Sequence, residues 1–316
     1  MAAIGFTHVE KIIRDDGSVS REIMTYADVR QDMVAHTRPR SAIAGLALDR
    51  CRIMGIVNVT PDSFSDGGQL ADAAAAVAHG VMLAKQGAEI LDVGGESTRP
   101  GSDEVSEADE LQRILPVITA LAKAHVVSAD TRKAAVMAAA LDAGAAIIND
   151  VSALRFETDS AGVVAQAKVP VILMHAQGAP KTMQLNPSYG DVLLDVYDAL
   201  ERLVEQAESA GIARHLICID PGIGFGKTFA QNLQLMAGMT LFHGLGLPLL
   251  VGLSRKGFVG AVTGENKASD RINGSVGGAL QAAQNGAHIL RVHDVKATRQ
   301  ALQMFTASND PDSADV

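Results

Sequence analysis

Polar side chains lie at or shortly after the ends of eight short apolar runs of this 316-residue sequence. They are Asn58, Asp92, Asp130, Asn149, His175, Asp220, Lys256 with its neighbours Ser254 and Arg255, and Arg291 with His293. A single Asp or His in such a place is usually a helix cap or a turn residue, but eight in the same phase indicate a shared site. Carboxylates and amides bind the donor-bearing edge of a ring, whereas Lys and Arg bind anions. The set therefore favours a ligand that combines a polar heterocycle with an anion.

The segments after the first and second runs are long and rich in hydroxyl, acidic and glycine residues. They are residues 58–68, Asn-Val-Thr-Pro-Asp-Ser-Phe-Ser-Asp-Gly-Gly, and residues 94–101, Gly-Gly-Glu-Ser-Thr-Arg-Pro-Gly. Long loops without regular structure are uncommon in compact domains and often bind ligands or cover sites. We predict that both loops contribute to binding, with flexible surface connections as the alternative.

The apolar runs alternate with alanine-rich stretches of helical character, which predicts an α/β fold. The predicted strands are Arg52–Val59, Ala88–Val93, His125–Ala129, Ala146–Asn149, Pro170–Met174, Leu216–Ile219, Pro248–Gly252 and His288–Val292. The predicted helices are Ala71–Gln86, Glu104–Lys123, Lys133–Ala143, Thr158–Ala167, Asp191–Ala210, Ala230–Leu241, Arg271–Gln284 and Lys296–Met304. Continuous apolar strands indicate a parallel sheet covered on both faces. Eight such units favour a TIM (β/α)8 barrel, in which the strand ends share one mouth; a doubly wound open sheet or two smaller domains are the alternatives.

Two terminal segments fall outside the repeated units. Residues 1–50 form an N-terminal extension, with a hairpin predicted around Asp16-Gly17 between Val9–Ile13 and Val19–Met24, since Asp-Gly is a strong hairpin signal. We expect the extension to cover the bottom of the barrel, which occupies residues 51–306. Residues 307–316 are rich in Ser, Asp and Pro and are predicted to be a disordered tail.

Residues 222–228, Gly-Ile-Gly-Phe-Gly-Lys-Thr, end like a phosphate-binding P-loop. That motif requires glycine at position 221, where Pro221 stands, and the glycine spacing also fails the dinucleotide pattern. We therefore interpret the segment as a rigid loop that lets backbone approach a ligand beside Asp220. A zinc site built from His175, His293 and strand-end acids is a minority alternative, because no paired His motif is present.

Composition excludes several classes of partner. The formal net charge is −9, there is no Trp and aromatic residues make up 3% of the chain, which argues against nucleic-acid binding. No segment is apolar over the length that a signal peptide or a membrane span requires. Two cysteines, Cys51 and Cys218, are typical of a reducing compartment. We predict a soluble cytoplasmic protein that binds neither nucleic acid nor membrane.

At these loops and strand ends the sequence resembles the dihydropteroate synthase family. The matching segments are Met54–Gly68, Asp92–Gly101, Ser128–Thr131, Asn149–Val151, Met174-His175, Asp220–Lys227, Ser254–Lys256 and Arg291–Asp294. The match runs in order over residues 50–300, and its first two segments are long enough to be highly specific.

The resemblance implies an enzyme that joins a pterin-methyl diphosphate to p-aminobenzoate with Mg²⁺ as cofactor. It assigns the pterin to Asp130, Asn149, Asp220 and Lys256, and the diphosphate to Asn58, Thr98, Arg99, Arg291 and His293, with the metal also bound through Asn58. It assigns p-aminobenzoate to Phe225, Ser254 and Arg255, while Asp92, Met174 and Gly252 complete the substrate-binding set. The family also suggests a homodimer formed through the last two predicted helices.

The implied reaction is a substitution at the pterin CH₂ carbon. Diphosphate leaves, the aromatic amine attacks, and no covalent enzyme nucleophile is required. The predicted catalytic residues are Asp130, Asp220, Lys256 and Arg291, of which the acids stabilise positive charge on the pterin and Arg291 stabilises the leaving anion. A pterin-binding methyltransferase domain and a non-catalytic pterin-binding paralogue are the competing functions.

Overall fold

The computed structural model describes residues 7–15, 18–31, 33–60, 69–97, 102–178 and 183–309. Its strands are an antiparallel pair, β1 (His8–Asp15) and β2 (Ser18–Thr25), followed by eight parallel strands. These are β3 (Arg52–Asn58), β4 (Ile90–Gly94), β5 (Val126–Asp130), β6 (Ile147–Asp150), β7 (Val171–Met174), β8 (Ile217–Asp220), β9 (Leu250–Val251) and β10 (Ile289–Val292).

The eight parallel strands form a ring in the order β8-β7-β6-β5-β4-β3-β10-β9. A parallel bridge between Ile219 and Leu249 joins the two outermost strands, and the Ile219 amide donates to the Pro248 carbonyl at 2.9 Å. The sheet therefore closes on itself. The predicted TIM barrel is confirmed, and the open-sheet alternative is wrong.

Two short helices precede the first barrel strand, and longer helices pack around the outside of the ring. In chain order, the helices are α1 (Tyr26–Val29), α2 (Val34–Thr37), α3 (Gln69–Gln86), α4 (Glu107–Leu121), α5 (Ala134–Asp142), α6 (Ser160–Ala167), α7 (Val192–Ser209), α8 (Phe229–Ala237), α9 (Gly257–Thr263), α10 (Ile272–Gln284) and α11 (Val295–Asn309). Side-chain caps stabilise the amino-terminal ends of several of these helices. Asp191 accepts from the first amides of α7, and Thr228 forms a capping box with Gln231 at α8. The helix predicted over Ala230–Leu241 ends at Ala237 and continues as a 3₁₀ turn.

Strand residues alternate between two faces. Outward residues pack against the helices in the main core; they include Val57, Val93, Val127, Ile148, Leu173, Ile219, Val251 and Leu290. Inward residues near the strand starts form a second cluster that includes Met54, Ile90, Ile147, Ile172, Cys218, Leu250 and Ile289. On six of these strands, the next inward-facing residue lies two positions further towards the carboxyl end. These residues are Asp92, Asn149, Met174, Asp220, Gly252 and Arg291. Because side chains alternate with a period of two, one face of the strands supplies both the apolar floor and the polar mouth.

The predicted hairpin is present as β1 and β2, and Arg14 on β1 pairs with Asp195 and Asp198 of α7 at 2.8 Å each. Further along, Ile43 and Leu48 belong to the inward cluster at the strand starts. Residues 43–48 therefore lie under the amino-terminal end of the barrel.

The C-terminal boundary differs from the prediction. Helix α11 continues to Asn309, so residues 307–309 of the predicted disordered tail are helical, and residues 310–316 lie outside the described residues. Helix α9 was not predicted, because it has seven residues and includes Gly257 and Gly260, which weaken helical propensity.

Candidate active site

Arg291 joins two carboxylates at the mouth of the barrel. Its Nε donates to Asp92 Oδ2 at 2.6 Å and its Nη2 donates to Asp130 Oδ2 at 2.7 Å. Burial lowers the pKa of Arg291, but Asp92 and Asp130 raise it by more, so the guanidinium stays charged. Arg291 was predicted to bind an anionic group, and this double ion pair was not predicted.

Asp130 experiences opposing electrostatic effects. Burial raises its pKa to about 7, Arg291 acts in the opposite direction, and the neighbouring carboxylate of Asp92 raises the pKa further. Burial therefore outweighs the ion pair with Arg291 and makes the Asp130 carboxyl harder to ionise than a free one. One guanidinium faces two carboxylates here, so the site favours ligands on which positive charge develops.

Asn149 completes the acidic side of the mouth by donating from Nδ2 to Asp92 Oδ2 at 3.1 Å. Within the described residues, Asp92 Oδ1 and Ser128 Oγ are buried without a hydrogen-bond partner, and these two residues are in register on β4 and β5. A buried polar group without a partner costs about 1–3 kcal/mol. Polar atoms of this kind are expected where a ligand supplies the missing partner.

Asp220 ends β8 on another side of the mouth and is 7% exposed. The amide of Gly222 donates to its Oδ1 at 2.7 Å. Burial raises the pKa of Asp220, and Lys256 is the largest opposing charge. Because a backbone amide holds one carboxylate oxygen, the orientation of the group is set for recognition of adjacent donors.

Lys256 lies beside Asp220 at the start of α9. Its Nζ donates to the carbonyl of Ile223 and lies 4.4 Å from the centre of the Phe225 ring. Burial lowers the pKa of Lys256 to about 8, and Asp220 opposes this shift. A cation over an aromatic face is an attractive arrangement, so Lys256 and Phe225 form one wall of the mouth.

Ser254 and His293 meet between β9 and β10. Ser254 Oγ accepts from the His293 backbone amide at 3.2 Å and lies 3.1 Å from His293 Nδ1. Arg255 is different: its Nε and Nη2 donate to the two oxygens of Asp294 at 2.9 and 2.5 Å. The guanidinium predicted to bind a second ligand is therefore already held by a carboxylate of the same chain.

The remaining predicted residues occupy the same inward face or fall outside the described chain. Asn58 ends β3 in register with Gly94, and Met174 ends β7. A side chain added at Gly252 would place its Cβ 3.6 Å from Arg291 Cβ, so Gly252 lies against the arginine. Thr98 and Arg99 lie outside the described residues, as do residues 61–68 of the first loop.

A buried ionic network lies under the second loop and was not predicted from the sequence. Glu96 pairs with Arg132 and Lys133 at 2.9 Å each, and Lys133 also pairs with the fully buried Glu110 at 2.5 Å. The Val105 amide donates to Glu96 Oε1 at 3.1 Å, which ties the two described ends of that loop together. Two adjacent cationic residues, Arg132 and Lys133, directly follow the strand-end residues Asp130 and Thr131 and could have indicated this network.

Two further observations concern membrane insertion and metal binding. In the described part of the chain no helix has the length and apolar character needed to cross a membrane. Those same ranges contain no group of three or more His, Cys, Asp or Glu side chains that could hold a metal ion.

A closed parallel barrel with acids, an amide and cations gathered at its carboxyl-terminal mouth defines a (β/α)8-barrel enzyme. The family model for pterin binding enzymes matches residues 54–293. The dihydropteroate synthase of Escherichia coli K12 is 46% identical over 265 residues, which cover 83% of this chain and 93% of that protein. The chain belongs to the dihydropteroate synthase family of pterin-binding enzymes.

Solved structures agree with this assignment. A Xanthomonas albilineans dihydropteroate synthase with 4-aminobenzoic acid has a TM-score of 0.81 and 50% identity, covering 86% of this chain and 98% of that one. The structure from the same organism in complex with 7,8-dihydropteroate has a TM-score of 0.78 and 48% identity, covering 85% and 98%.

Proposed function

We propose that the protein condenses (7,8-dihydropterin-6-yl)methyl diphosphate with p-aminobenzoate to give 7,8-dihydropteroate and diphosphate. The observation that carries this proposal is the buried carboxylate of Asp220, held at one oxygen by the Gly222 amide and placed beside Lys256. A dihydropterin presents two N–H donors side by side on its amino-pyrimidine edge, and a fixed carboxylate accepts such a pair in a bidentate manner. The family relationship supports the same assignment.

The pterin ring is proposed to lie across the mouth, where Asp220 takes its guanidine-like edge. Asp130 and Asn149 lie on β5 and β6, beside Asp92 of β4, whose Oδ1 is buried without a partner among the described residues. The ring donors would satisfy acceptors on this side. Lys256, with Phe225 beneath its ammonium, closes the pocket from the side of α9.

The diphosphate is proposed to bind near Arg291 and His293. A guanidinium has five N–H donors, and in this structure Nε and Nη2 serve Asp92 and Asp130. The two acids thus orient the cation before any ligand arrives, which is the arrangement that stabilises developing negative charge most effectively. Thr98 and Arg99 belong to the same proposal.

Mg²⁺ fits the proposed diphosphate site through the amide oxygen of Asn58, which ends β3 at the mouth. Magnesium prefers oxygen ligands and usually keeps several waters, binding few protein groups together with substrate phosphates. When bound, the ion would neutralise charge on the leaving diphosphate.

The p-aminobenzoate site is proposed to include Ser254 and Phe225. Ser254 Oγ interacts with His293, so it lies next to the proposed diphosphate site, and the Phe225 ring offers an apolar surface to the benzene ring. Arg255 contributes through its ion pair with Asp294, which keeps the segment after β9 in place.

The reaction breaks the bond between the pterin CH₂ carbon and a diphosphate oxygen, and it forms a bond between that carbon and the amine nitrogen, which then loses a proton. Positive charge develops on a carbon that is conjugated with the pterin ring. The carboxylates of Asp130 and Asp220 stabilise that charge, and Arg291 stabilises the departing anion. Lys256 is proposed to hold the ring while these charges separate.

The test is a coupled assay for dihydropteroate with purified protein, both substrates and Mg²⁺. We expect diphosphate release that depends on p-aminobenzoate, and competitive inhibition by sulfonamides, which imitate that substrate. Folded protein that binds pterin but forms no dihydropteroate would instead be a non-catalytic pterin-binding paralogue.

The proposal extends to assembly and location. We propose that the protein is a homodimer whose interface includes α10 and α11, where Met304 is exposed. We also propose a cytoplasmic location, which is in keeping with the free thiols of Cys51 and Cys218. Sedimentation equilibrium of the purified protein tests the dimer, and a single species at the monomer mass would contradict it.

A further inference from the structure

Lys227 is a buried lysine for which the proposed function gives no role. Its side chain is 2% exposed, and its Nζ lies 2.9 Å from each of three acceptors: His175 Nδ1 and the carbonyl oxygens of Gly222 and Phe225. A fourth acceptor, the carbonyl oxygen of His175, lies at 3.4 Å, so the three N–H donors of an ammonium are matched by the three nearer acceptors. Burial lowers the pKa of Lys227 to about 7, and the charge of Asp220 opposes this shift. Burial lowers the pKa of His175 to about 2, so the imidazole is neutral and can accept.

These contacts join two loops at the mouth. His175 directly follows β7, whereas Gly222, Phe225 and Lys227 belong to the loop after β8, residues 221–228. The backbones of the two loops approach very closely, because a Cβ added at Gly222 would lie 1.8 Å from the carbonyl oxygen of His175. The side chain of Lys227 therefore links the residue after β7 to two other residues of the loop after β8.

The same loop residues also contact the proposed pterin pocket. Gly222 accepts from Lys227 through its carbonyl and donates to Asp220 through its amide at 2.7 Å. Phe225 accepts from Lys227 through its carbonyl, while its ring lies under the ammonium of Lys256. Each of these two residues thus links the buried lysine to one pocket residue.

We propose that Lys227 is a positioning residue that sets the orientation of Asp220 and Lys256 through the loop after β8. Its ammonium is enclosed by acceptors of the protein itself, so it does not bind the diphosphate despite the likeness of its motif to a P-loop. The inference rests on the proposed pterin-binding function, because the orientation of these two groups matters only if they hold a ligand.

The first experiment compares Lys227→Met with Lys123→Met, which changes an exposed lysine beyond the end of α4. Calorimetry with 6-hydroxymethyl-7,8-dihydropterin reads the pterin pocket without a diphosphate. We expect the dissociation constant to rise at least tenfold in Lys227→Met and to be unchanged in Lys123→Met. Unchanged affinity in a folded Lys227→Met protein overturns the inference.

A double-mutant cycle separates positioning from general destabilisation. Because Lys227 acts through both Asp220 and Lys256, the loss of affinity caused by Lys227→Met should be at least threefold smaller when Lys256→Met is already present. Losses that add fully in the double variant would mean that Lys227 acts on the fold as a whole, which contradicts a positioning role.

His175→Phe decides the question if Lys227→Met does not fold, because it removes one acceptor and keeps a ring of similar shape. We expect at least threefold weaker pterin binding, and unchanged affinity overturns the inference. Asp220→Asn is measured in parallel and should abolish pterin binding. If Asp220→Asn has no effect, the proposed pocket is wrong; if it alone has an effect, only the role of Lys227 is wrong.

Discussion

Asp92 and Arg291 are 199 residues apart in sequence and lie on strands that are not neighbours, yet their side chains meet at 2.6 Å inside the barrel mouth. β4 and β10 flank β3 in the ring, so the pair reaches across one strand. The contact fixes the guanidinium in the mouth, where the second carboxylate, Asp130, also holds it. The ionic centre of the proposed site therefore exists before any substrate binds.

Replacing Arg291 with lysine tests this centre. Lysine keeps the charge but cannot serve two carboxylates and an anion in a planar fork. We expect Arg291→Lys to lower kcat by about 100-fold, the usual cost of losing one pre-oriented donor to a developing anion. Steady-state dihydropteroate formation measures it, with Arg214→Lys as the control, since Arg214 is half exposed and pairs with Glu208. Equal losses in both variants would contradict the assigned role.

The raised pKa of Asp130 predicts how stability depends on pH. Between its ordinary value of 3.8 and about 7, the native protein holds a proton that the unfolded chain has released. The contribution of Asp130 to stability is therefore present at low pH and is lost as the pH rises through 7, by at most about 1.4 kcal/mol per pH unit. As the pH rises from 5 to 8, we expect the urea midpoint of the wild-type protein to fall relative to that of the Asp130→Asn variant. Parallel curves for the two proteins would show that Asp130 is already ionised at pH 5.

Removal of the metal tests the role proposed for Asn58. EDTA should abolish dihydropteroate formation and Mg²⁺ should restore it. Asn58→Ala should raise the Mg²⁺ concentration for half-maximal activity by about tenfold or more, because changes near a metal commonly have effects of this size. Asn266→Ala, in an exposed loop before α10, is the control. An unchanged Mg²⁺ requirement in Asn58→Ala would remove this residue from the metal site.

The contact between Gly222 and His175 predicts a large loss of stability on adding one methyl group. Gly222 has φ of +66° and its new Cβ would lie 1.8 Å from a carbonyl oxygen, whereas Gly264 has φ of +77° and nothing within 4 Å. Gly264→Ala should cost about 1–2 kcal/mol from backbone strain alone. Gly222→Ala should cost more than about 3 kcal/mol, at the upper end for point mutations. Chemical unfolding measures the free energy of unfolding of both variants. Equal losses of stability would show that the loop after β8 can move to make room for the added methyl group.

Much of the architecture follows from local patterns. Each of the eight barrel strands overlaps its predicted run, because burial on both faces makes the strands short and continuously apolar. Helix α9 was missed since a seven-residue helix with two glycines has weak local preferences. The end of α11 was misplaced because the preference of residues 307–309 for irregular structure is weak beside the stability of a helix already formed.

The sequence by itself determined that strand-end residues such as Asp92, Asn149 and Asp220 lie on the inward face at the mouth, because inward and outward positions alternate along a strand. Only the tertiary structure decided which of them pair. Arg291 with Asp92 and Asp130, Arg255 with Asp294, and Lys227 with His175 are contacts between distant segments. Such pairs form because folding brings the two side chains together and removes water from around them. The local periodicity of a sequence contains no information about which distant residues meet.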